Sequence, residues 1–449
     1  MVAEEQYIFN AESKKKLIIL LIVGLVLFAI GVFMAMNSGG HDEHAASLNA
    51  TNELVASIEQ ENMAAEEAGE AEHHGSPIWL KRIYTSLWHN NIFFAGLGII
   101  GLFFVAIQYA AQAGWSAPIK RIPLAMGHWI PISGLLMLGL WFLVKGDVFH
   151  WTDPHHNLYV EGEHYDKILD AKSAYFFWPL PAGGFPAFYI LRMVAFFGLW
   201  YWFFTLIKKK MLAEDIEGGT SNWYDARKWA AIFLVFFGYS SSVAAWDWVM
   251  SIDPHWFSTM MGWYVFASWW VSGLAMITLI VASLKDAGYL KMVNSNHLHD
   301  LGKFVFAFSI FWTYIWFSQF MLIYYANIPE ETVYFIQRIQ NAPYSWIFYT
   351  NLILNFVLPF LLLMTRDAKR HMSMLKVVCP IVLVGHWLDF YNMITPGVMK
   401  YDGGIGLLEI GLAMVFLAAF LFVAFNALSK APLVARNHPM MAESLNHHI

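Results

Sequence analysis

The stretch from Ala244 to Gly262, AAWDWVMSIDPHWFSTMMG, carries two aspartates and a histidine among tryptophans, at the junction of two long apolar segments. Asp247 falls inside the first of these segments, whereas Asp253, Pro254 and His255 follow it in a turn. A carboxylate within a membrane helix is costly unless it faces protein or water. The stretch therefore predicts either a functional site or a structural ion pair where the chain leaves the membrane.

The composition around this stretch is that of an integral membrane protein. Of the 449 residues, 58% are hydrophobic and only 13% are charged, which excludes a chain of ordinary soluble domains. A hydrocarbon core about 30 Å thick requires about 20 apolar residues per helix. We predict ten transmembrane helices, at residues 17–36, 90–111, 122–145, 184–207, 229–250, 259–283, 303–326, 345–364, 375–394 and 405–428.

The distribution of basic residues predicts the orientation. The first segment follows Lys14–Lys16 and is longer than the apolar region of a secretory signal, so we interpret it as an uncleaved anchor. With the N-terminus inside, the inner segments hold 19 Lys and Arg and the outer segments hold seven. Both termini are therefore predicted to be cytoplasmic.

The remaining composition limits the cofactors and partners. The single cysteine, Cys379, excludes a disulfide framework, a cysteine-ligated cluster and a covalent haem within this chain. Residues 37–76 hold nine Asp or Glu and no Lys or Arg, which is typical of a solvated linker. A metal site built from the four histidines of this linker is the weaker alternative. The net charge of −6 gives no indication of nucleic-acid binding, and we expect none.

Arg192 is the arginine that lies within a predicted helix. It follows Gly184 by eight residues, which corresponds to a depth on the order of 12 Å. Such an arginine needs a partner, and Asp247 on the next helix is the nearest carboxylate, because consecutive antiparallel helices usually pack together. A structural ion pair and a functional one are both consistent with this pattern.

Other polar groups are predicted to lie within or near the membrane. His386 and Asp389 share a helix face, so that the carboxylate would fix the histidine tautomer and pass a proton. His128 follows the start of the third segment by about two turns, where a hydrogen-bonding role is the alternative to a ligand. Glu409 lies just inside the outer surface. The residues Trp88, His89, Asn90 and Asn91 begin the second segment and are predicted to lie at the membrane interface.

The triplet Asp-Pro-His occurs twice, at Asp253–His255 and at Asp153–His155. Each copy follows an odd-numbered predicted helix at the outer surface. Aspartate is a favoured helix N-cap and proline a favoured first residue, so each triplet either begins a short helix or supplies site groups. Quinol oxidation would require such groups, namely a hydrogen-bond acceptor, a carboxylate to carry protons away and aromatic walls.

The chain resembles the NrfD-like, or polysulfide reductase type, membrane subunits, and among them the second such subunit of bacterial alternative complex III, a quinol:cytochrome c oxidoreductase. The resemblance spans about residues 80–430 and is carried by FYILRMVAFF and by SSSVAAWDWVMSIDPHWFSTMMGWYVFAS. It implies two four-helix bundles, helices 2–5 and 6–9, with helices 1 and 10 peripheral. The implied segments are 1–36 for the anchor, 37–87 for the acidic loop, 88–250 and 251–394 for the bundles, 395–428 for helix 10 and 429–449 for a cytoplasmic tail.

The resemblance also implies a location and partners. It implies the bacterial inner membrane, a sister NrfD-like subunit, an iron-sulfur subunit, haem c subunits and a terminal oxidase as a further partner. Haem c and the iron-sulfur clusters would lie in those partners, and this chain would contact a quinone such as menaquinone. The expected function is quinol binding, coupled proton translocation, or both.

Three other functions are consistent with the residues. The first is a secondary anion or proton transporter with Arg192 as the anion site, because transporters also place charges near the midplane. The second is a haem b subunit, which would need two facing histidines at one depth. The third is a structural scaffold, in which the polar residues cap turns and form ion pairs.

Overall fold

The computed structural model describes residues 5–37, 76–153, 158–162 and 164–447. Ten helices in these ranges are long and apolar enough to cross a membrane, which confirms the predicted all-α, multi-pass membrane fold. In chain order they are α1 (Ala11–Asn37), α2 (Ile78–Ala110), α3 (Arg121–Val148), α4 (Ala187–Glu217), α5 (Ser221–Trp248), α6 (Met261–Asp286), α7 (Ser295–Ala326), α8 (Ala342–Leu362), α9 (Met372–Met399) and α10 (Leu407–Leu428).

The helices define two faces of the molecule. We call the face with the start of α1 and the end of α10 the proximal face, and the opposite one the distal face. Two short helices lie in distal connections. The first distal helix is Lys167–Phe177, between α3 and α4, and the second distal helix is Pro329–Ile339, between α7 and α8. The two short helices therefore lie in corresponding distal connections of the two halves of the chain.

The helices form two four-helix bundles. Helix α2 contacts α3 and α5, and α4 contacts both α3 and α5, which closes the first bundle. Helices α6–α9 close the second bundle in the same way, and α2 packs against α6 and α9 at the boundary. Helices α2 and α6 are therefore almost entirely buried, because 94% and 89% of the residues in their most apolar stretches lie inside the protein.

Helices α1 and α10 form a peripheral pair. They pack closely because Gly24 and Gly31 of α1 lie against the α10 backbone, and Gly411 of α10 lies against the α1 backbone. A Cβ atom at any of the three would meet main-chain atoms of the partner helix. Small residues of this kind allow two membrane helices to approach. Helix α10 in turn contacts α2 and α3, whereas α1 remains largely exposed.

The start of α2 differs from the prediction. The helix begins at Ile78, so Trp88, His89, Asn90 and Asn91 lie in its third and fourth turns and are fully buried. His89 Nε2 lies 3.0 Å from the Trp387 carbonyl oxygen, and Asn90 Oδ1 accepts from Trp387 Nε1 at 3.0 Å. The prediction of a membrane-interface position for these residues was wrong, because their side chains are buried against other helices. His89 and Asn90 join α2 to α9, whereas Asn91 bonds to α3 and Trp88 to the end of α5.

The C-terminal segment covers the proximal face. Leu433, Val434 and Ala435 are buried, and the Leu433 N–H donates to the Glu5 carbonyl oxygen at 2.8 Å. At the end of the segment, His447 Nε2 lies 2.6 Å from Asp300 Oδ2. The segment 429–447 is therefore packed on the bundles, although the sequence suggested only a short polar tail.

Candidate functional site

In the first bundle, Arg192 and Asp247 form a buried ion pair. Arg192 Nε donates to Asp247 Oδ2 at 2.7 Å, and Nη2 donates to Oδ1 at 2.9 Å. Nη1 donates to the carbonyl oxygen of Tyr175 in the first distal helix at 2.7 Å. The guanidinium lies 4.1 Å from the Tyr175 ring centroid and 4.6 Å from that of Phe188. The predicted pairing is confirmed, and every guanidinium nitrogen has an acceptor.

The geometry of this pair opposes an anion site at Arg192. The carboxylate of Asp247 is completely buried and balances the arginine charge. Because α4 begins at Ala187, Arg192 lies five residues into the helix, about 7.5 Å at 1.5 Å per residue. This depth is smaller than the sequence predicted, since the chain before Ala187 is irregular.

The turn between the bundles contacts both distal helices. His255 Nε2 lies 2.5 Å from Asp166 Oδ2, and Lys172 Nζ donates to the Pro254 carbonyl oxygen at 2.5 Å. Asp166 also caps the first distal helix, because its Oδ1 accepts from the N–H groups of Ile168 and Leu169. Burial acts to raise the pKa of Asp166, but the Leu169 N–H and His255 lower it, and the net shift is downward.

The second distal helix contacts the same turn from the other side. Arg338 Nη2 lies 3.6 Å from Asp253 Oδ2. Trp256 stacks on Tyr334 with ring centroids 3.9 Å apart, and its Nε1 donates to the Glu331 carbonyl oxygen at 3.1 Å. Burial raises the pKa of the Asp253 carboxyl above its usual value, against the opposing charge of Arg338. Asp253 and His255 are therefore close in sequence but contact different helices.

The capping interpretation of the two Asp-Pro-His triplets is not supported where they are described. No helix begins at Pro254, because residues 254–260 precede the start of α6 at Met261. Asp153 follows the 3₁₀ turn His150–Thr152 and ends it. Pro154 and His155 lie outside the described residues. Another histidine, His150, lies near the triplet Asp253–His255, with its ring centroid 6.1 Å from that of His255. The sequence did not single out His150.

In the second bundle, Asp389 accepts four hydrogen bonds and is completely buried. Its Oδ2 accepts from Ser268 Oγ at 2.5 Å and from Trp312 Nε1 at 2.9 Å. Its Oδ1 accepts from Asn351 Nδ2 at 2.6 Å and from the Tyr264 hydroxyl. The donors come from α6, α7 and α8, so one carboxylate of α9 joins the other three helices of its bundle.

His386 lies one helical turn before Asp389, midway along α9. Its Nδ1 is 3.8 Å from Asp389 Oδ2, which is too long for a hydrogen bond. Neither ring nitrogen of His386 has a hydrogen-bond partner among the described residues. The pair is therefore adjacent, as predicted, but the carboxylate does not fix the histidine tautomer.

A narrow cleft lies on the distal side of the second bundle, beside one of the donors to Asp389. It is lined by α6–α9 and the second distal helix, and Tyr264, Arg338 and Asn392 supply its polar groups. Its volume of about 10 Å³ is room for about one water molecule. Because Tyr264 lines the cleft and its hydroxyl donates to Asp389, this residue links the cleft to the buried carboxylate.

A second set of hydrogen bonds continues from Asp389 into the membrane. Asn351 donates to Asp389, and Asn355 donates to Asn351 Oδ1 along the same face of α8. Asn355 lies in a π-helical turn, Ile353–Val357, and its Oδ1 has no partner in the described parts of the chain. Such turns occur frequently at functional sites.

Two predicted site residues lie apart from both buried carboxylates. His128 accepts from Lys208 Nζ at 2.7 Å towards the proximal face. Glu409 accepts from Arg82 Nε at 2.7 Å and from the Gly406 N–H at 2.7 Å, so that it caps α10. His128 and His386 are on different bundles and do not face each other, which opposes the haem b alternative.

Three residues that help to complete these sites, Tyr264, Ser268 and Asp166, were not predicted as site residues from the sequence. Tyr264 and Ser268 lie four positions apart on α6, and this spacing places both on one helix face. Asp166 directly precedes a helical stretch, which is the position of an N-cap. These two patterns are the signals that the sequence contained. Within the described ranges, no group of three or more His, Cys, Asp or Glu could hold a metal ion.

Comparison with known proteins adds no assignment. No protein-family model matches the chain, and no curated protein matches it significantly.

Proposed function

We propose that this protein is a membrane subunit of a respiratory quinol:cytochrome c oxidoreductase of the alternative complex III type, in which Asp389 carries protons coupled to quinol oxidation. The observation that supports this role is the position of Asp389. It is a completely buried carboxylate that four neutral donors hold beneath a water-sized distal cleft.

The donors differ in what they do for a proton. Trp312 Nε1–H and the amide N–H of Asn351 only donate, so they orient the carboxylate. The hydroxyls of Tyr264 and Ser268 both donate and accept. For release towards the distal face, protonated Asp389 would donate to the Tyr264 oxygen while the Tyr264 O–H donates its proton to a water in the cleft. His386, whose Nδ1 is 3.8 Å from Oδ2, is the next base along α9.

The proton role is favoured over quinol binding in the second bundle because the cleft has room for about one water and not for a quinone ring. The groups nearest the distal surface, Asp253 and His255, are the candidates for contact with a quinone held beside this chain. In the first bundle, the complete pairing of Arg192 and Asp247 favours a structural role for that pair.

The redox centres belong to partners in this proposal. The chain has one cysteine, so an iron-sulfur subunit and haem c subunits would transfer the electrons, beside a sister membrane subunit and a terminal oxidase. The protein would lie in the bacterial inner membrane with both termini cytoplasmic, which makes the distal face the outer one. Its quinone would be menaquinone or a related compound.

The first experiment tests membership of the complex. The protein is purified with an affinity tag from its native membranes in a mild detergent, and the eluate is examined for c-type haem absorption and for quinol oxidation with cytochrome c as the acceptor. Elution without haem and without activity would contradict the proposal.

The second experiment tests Asp389. In complex reconstituted into vesicles, Asp389→Asn and Tyr264→Phe are expected to lower the number of protons released per quinol oxidised. Tyr264→Phe leaves three donors to Asp389 but removes the hydroxyl that links it to the cleft. The matched control is Asp225→Asn, which alters a partly exposed carboxylate on α5 that pairs with Lys210. An unchanged proton yield in both variants of an intact complex would exclude the role of Asp389.

A further inference from the structure

Two lysines, Lys208 of α4 and Lys430 beyond the end of α10, lie on the proximal side of the protein. Lys208 Nζ lies 2.7 Å from His128 Nε2, and His128 Nδ1 lies 3.2 Å from the Ala125 carbonyl oxygen. Because a carbonyl oxygen only accepts, Nδ1 must carry the proton, and Nε2 accepts from the lysine. The histidine is therefore neutral and holds the lysine charge in place without balancing it.

Lys430 adds a second positive charge at this place. It follows the end of α10 at Leu428, is exposed, and acts electrostatically on both His128 and Lys208. In the described parts of the chain, no carboxylate bonds to Lys208 or to Lys430, whereas Lys210, two residues further on, pairs with Asp225. Two cations, one on α4 and one just beyond the end of α10, thus lie within electrostatic range of each other without a counter-charge from the described parts of the protein.

The turn that holds His128 packs closely against two neighbouring helices. This turn is the 3₁₀ turn Gly127–Trp129 of α3. On one side Phe204 of α4 packs edge-on against the His128 ring, with centroids 5.0 Å apart. On the other side Phe420 of α10 packs against Trp129, with centroids 5.8 Å apart. These buried aromatic contacts hold His128 in place between α4 and α10.

The depth of the lysines matches that of lipid phosphates. Lys208 directly follows the apolar run of α4 that ends at Ile207, and Lys430 follows the apolar run of α10. Lysines at helix ends reach the membrane interface, and basic pockets between membrane helices bind anionic headgroups. Lys208 and Lys430 differ from ordinary solvated lysines because no carboxylate of the described chain compensates their charge.

We propose that Lys208 and Lys430, with His128 orienting Lys208, bind the phosphate of an anionic phospholipid at the proximal end of α3, α4 and α10. The exposed apolar faces below the lysines, which include Leu135 of α3, Leu199 of α4 and Phe422 of α10, would contact its acyl chains. This site is independent of the proton role of Asp389.

The test uses the full chain, delipidated in a zwitterionic detergent. Native mass spectrometry measures the binding of phosphatidylglycerol, with phosphatidylcholine as the neutral comparison. The wild-type protein is expected to prefer phosphatidylglycerol. Lys208→Gln and Lys430→Gln should each weaken this binding about fivefold, and the double variant about 30-fold, in keeping with the loss of one and two basic contacts at a membrane surface.

The controls separate a specific site from general attraction. Lys209→Gln removes the same charge from the next, exposed position and should leave the affinity unchanged, and Lys208→Arg should retain most of it. Lys430 lies outside the helices, so its variant tests the site even if Lys208→Gln disturbs packing.

Equal binding of the two lipids, or equal loss in Lys209→Gln, would overturn the proposal. Inorganic phosphate should neither displace the lipid nor raise the melting temperature, and a shift as large as that from the lipid would identify a site for soluble phosphate instead.

Discussion

Arg192 holds Asp247 through two hydrogen bonds of 2.7 and 2.9 Å inside the first bundle. Removing one partner of such a buried pair leaves an uncompensated charge, which costs about 3–5 kcal/mol. We therefore expect Asp247→Asn and Arg192→Met each to lower the unfolding temperature of the purified protein strongly. The double variant Arg192→Met/Asp247→Leu should be more stable than either single variant, because no buried charge remains.

The exposed pair of Lys376 and Asp286, 2.6 Å apart, is the matched control for this comparison. Single and double changes there should have little effect, because solvent screens the charges. If the buried double variant were less stable than both singles, the ion pair would contribute net stability, and the expectation would be wrong.

Arg338 compensates for a proline in α9. Pro396 has no N–H, so the carbonyl oxygen of Asn392 lacks its usual helical donor, and Arg338 Nε donates to it at 2.8 Å. Arg338 Nη2 also donates to the Met393 carbonyl oxygen at 3.1 Å. A lysine cannot reproduce this planar pair of donors. We expect Arg338→Lys to destabilise the protein by about 2 kcal/mol in thermal or denaturant unfolding.

A double-mutant cycle isolates the carbonyl group. Pro396→Ala supplies the missing N–H, so the cost of Arg338→Lys should shrink in that background. Pro380→Ala is the control, since it alters another proline of α9 whose neighbouring carbonyl groups Arg338 does not contact. Equal costs of Arg338→Lys in all three backgrounds would refute this account.

Asp166 anchors the first distal helix to the turn between the bundles. Asp166→Ala removes the N-cap and the contact with His255, and should weaken the helix by about 1 kcal/mol. Hydrogen exchange over 167–177 should become about fivefold faster. Asp166→Asn should keep the cap, and Asp170→Ala, within the same helix, should have a smaller effect.

The pH dependence of this cap follows from the lowered pKa of Asp166. A carboxyl group with a pKa lower in the folded state stabilises the fold above its unfolded pKa and loses that contribution as the pH falls through the folded value. The protection of amides 167–177, measured as the exchange rate relative to the intrinsic rate at the same pH, should therefore fall in acid in the wild type, and less so in Asp166→Asn. A loss of protection of equal size in both would contradict the assignment.

The sequence predicted those features that depend on local pattern or on adjacent helices. The ten helices follow from apolar runs, and the pairing of Arg192 with Asp247 follows because α4 and α5 are consecutive. The contact between Asp166 and His255 joins residues 89 positions apart, and no local pattern specifies it. The buried polar residues of α2 were misplaced because hydropathy does not distinguish a helix end in lipid headgroups from a polar turn packed against protein.

The proximal face contains a lysine whose ionisation should affect stability. Lys120 is buried beneath the C-terminal segment, where its Nζ lies 3.0 Å from His438 Nε2 and 4.2 Å from the Tyr109 ring centroid. Burial lowers the pKa of Lys120 to about 7, and the charges of Glu214 and Glu443 oppose this shift. The other titratable groups of this cluster are His438, Tyr109, Arg121 and Asp215.

The sign of the effect follows from the two states. Between pH 7 and the unfolded value of 10.5, the unfolded state binds a proton at Lys120 that the folded state does not. The free energy of unfolding should therefore rise with pH in this range, by up to about 1.4 kcal/mol per pH unit. His438 contributes no slope there, because burial lowers its pKa to about 3 and it is neutral in the folded state.

Thermal unfolding from pH 7 to 9 should show this rise in the wild type, and Lys120→Met should flatten it and raise the stability at pH 7. Lys291→Met, at an exposed position, should leave the slope unchanged. A slope that persists in Lys120→Met would show that another group carries it, because no proton can then be taken up at position 120.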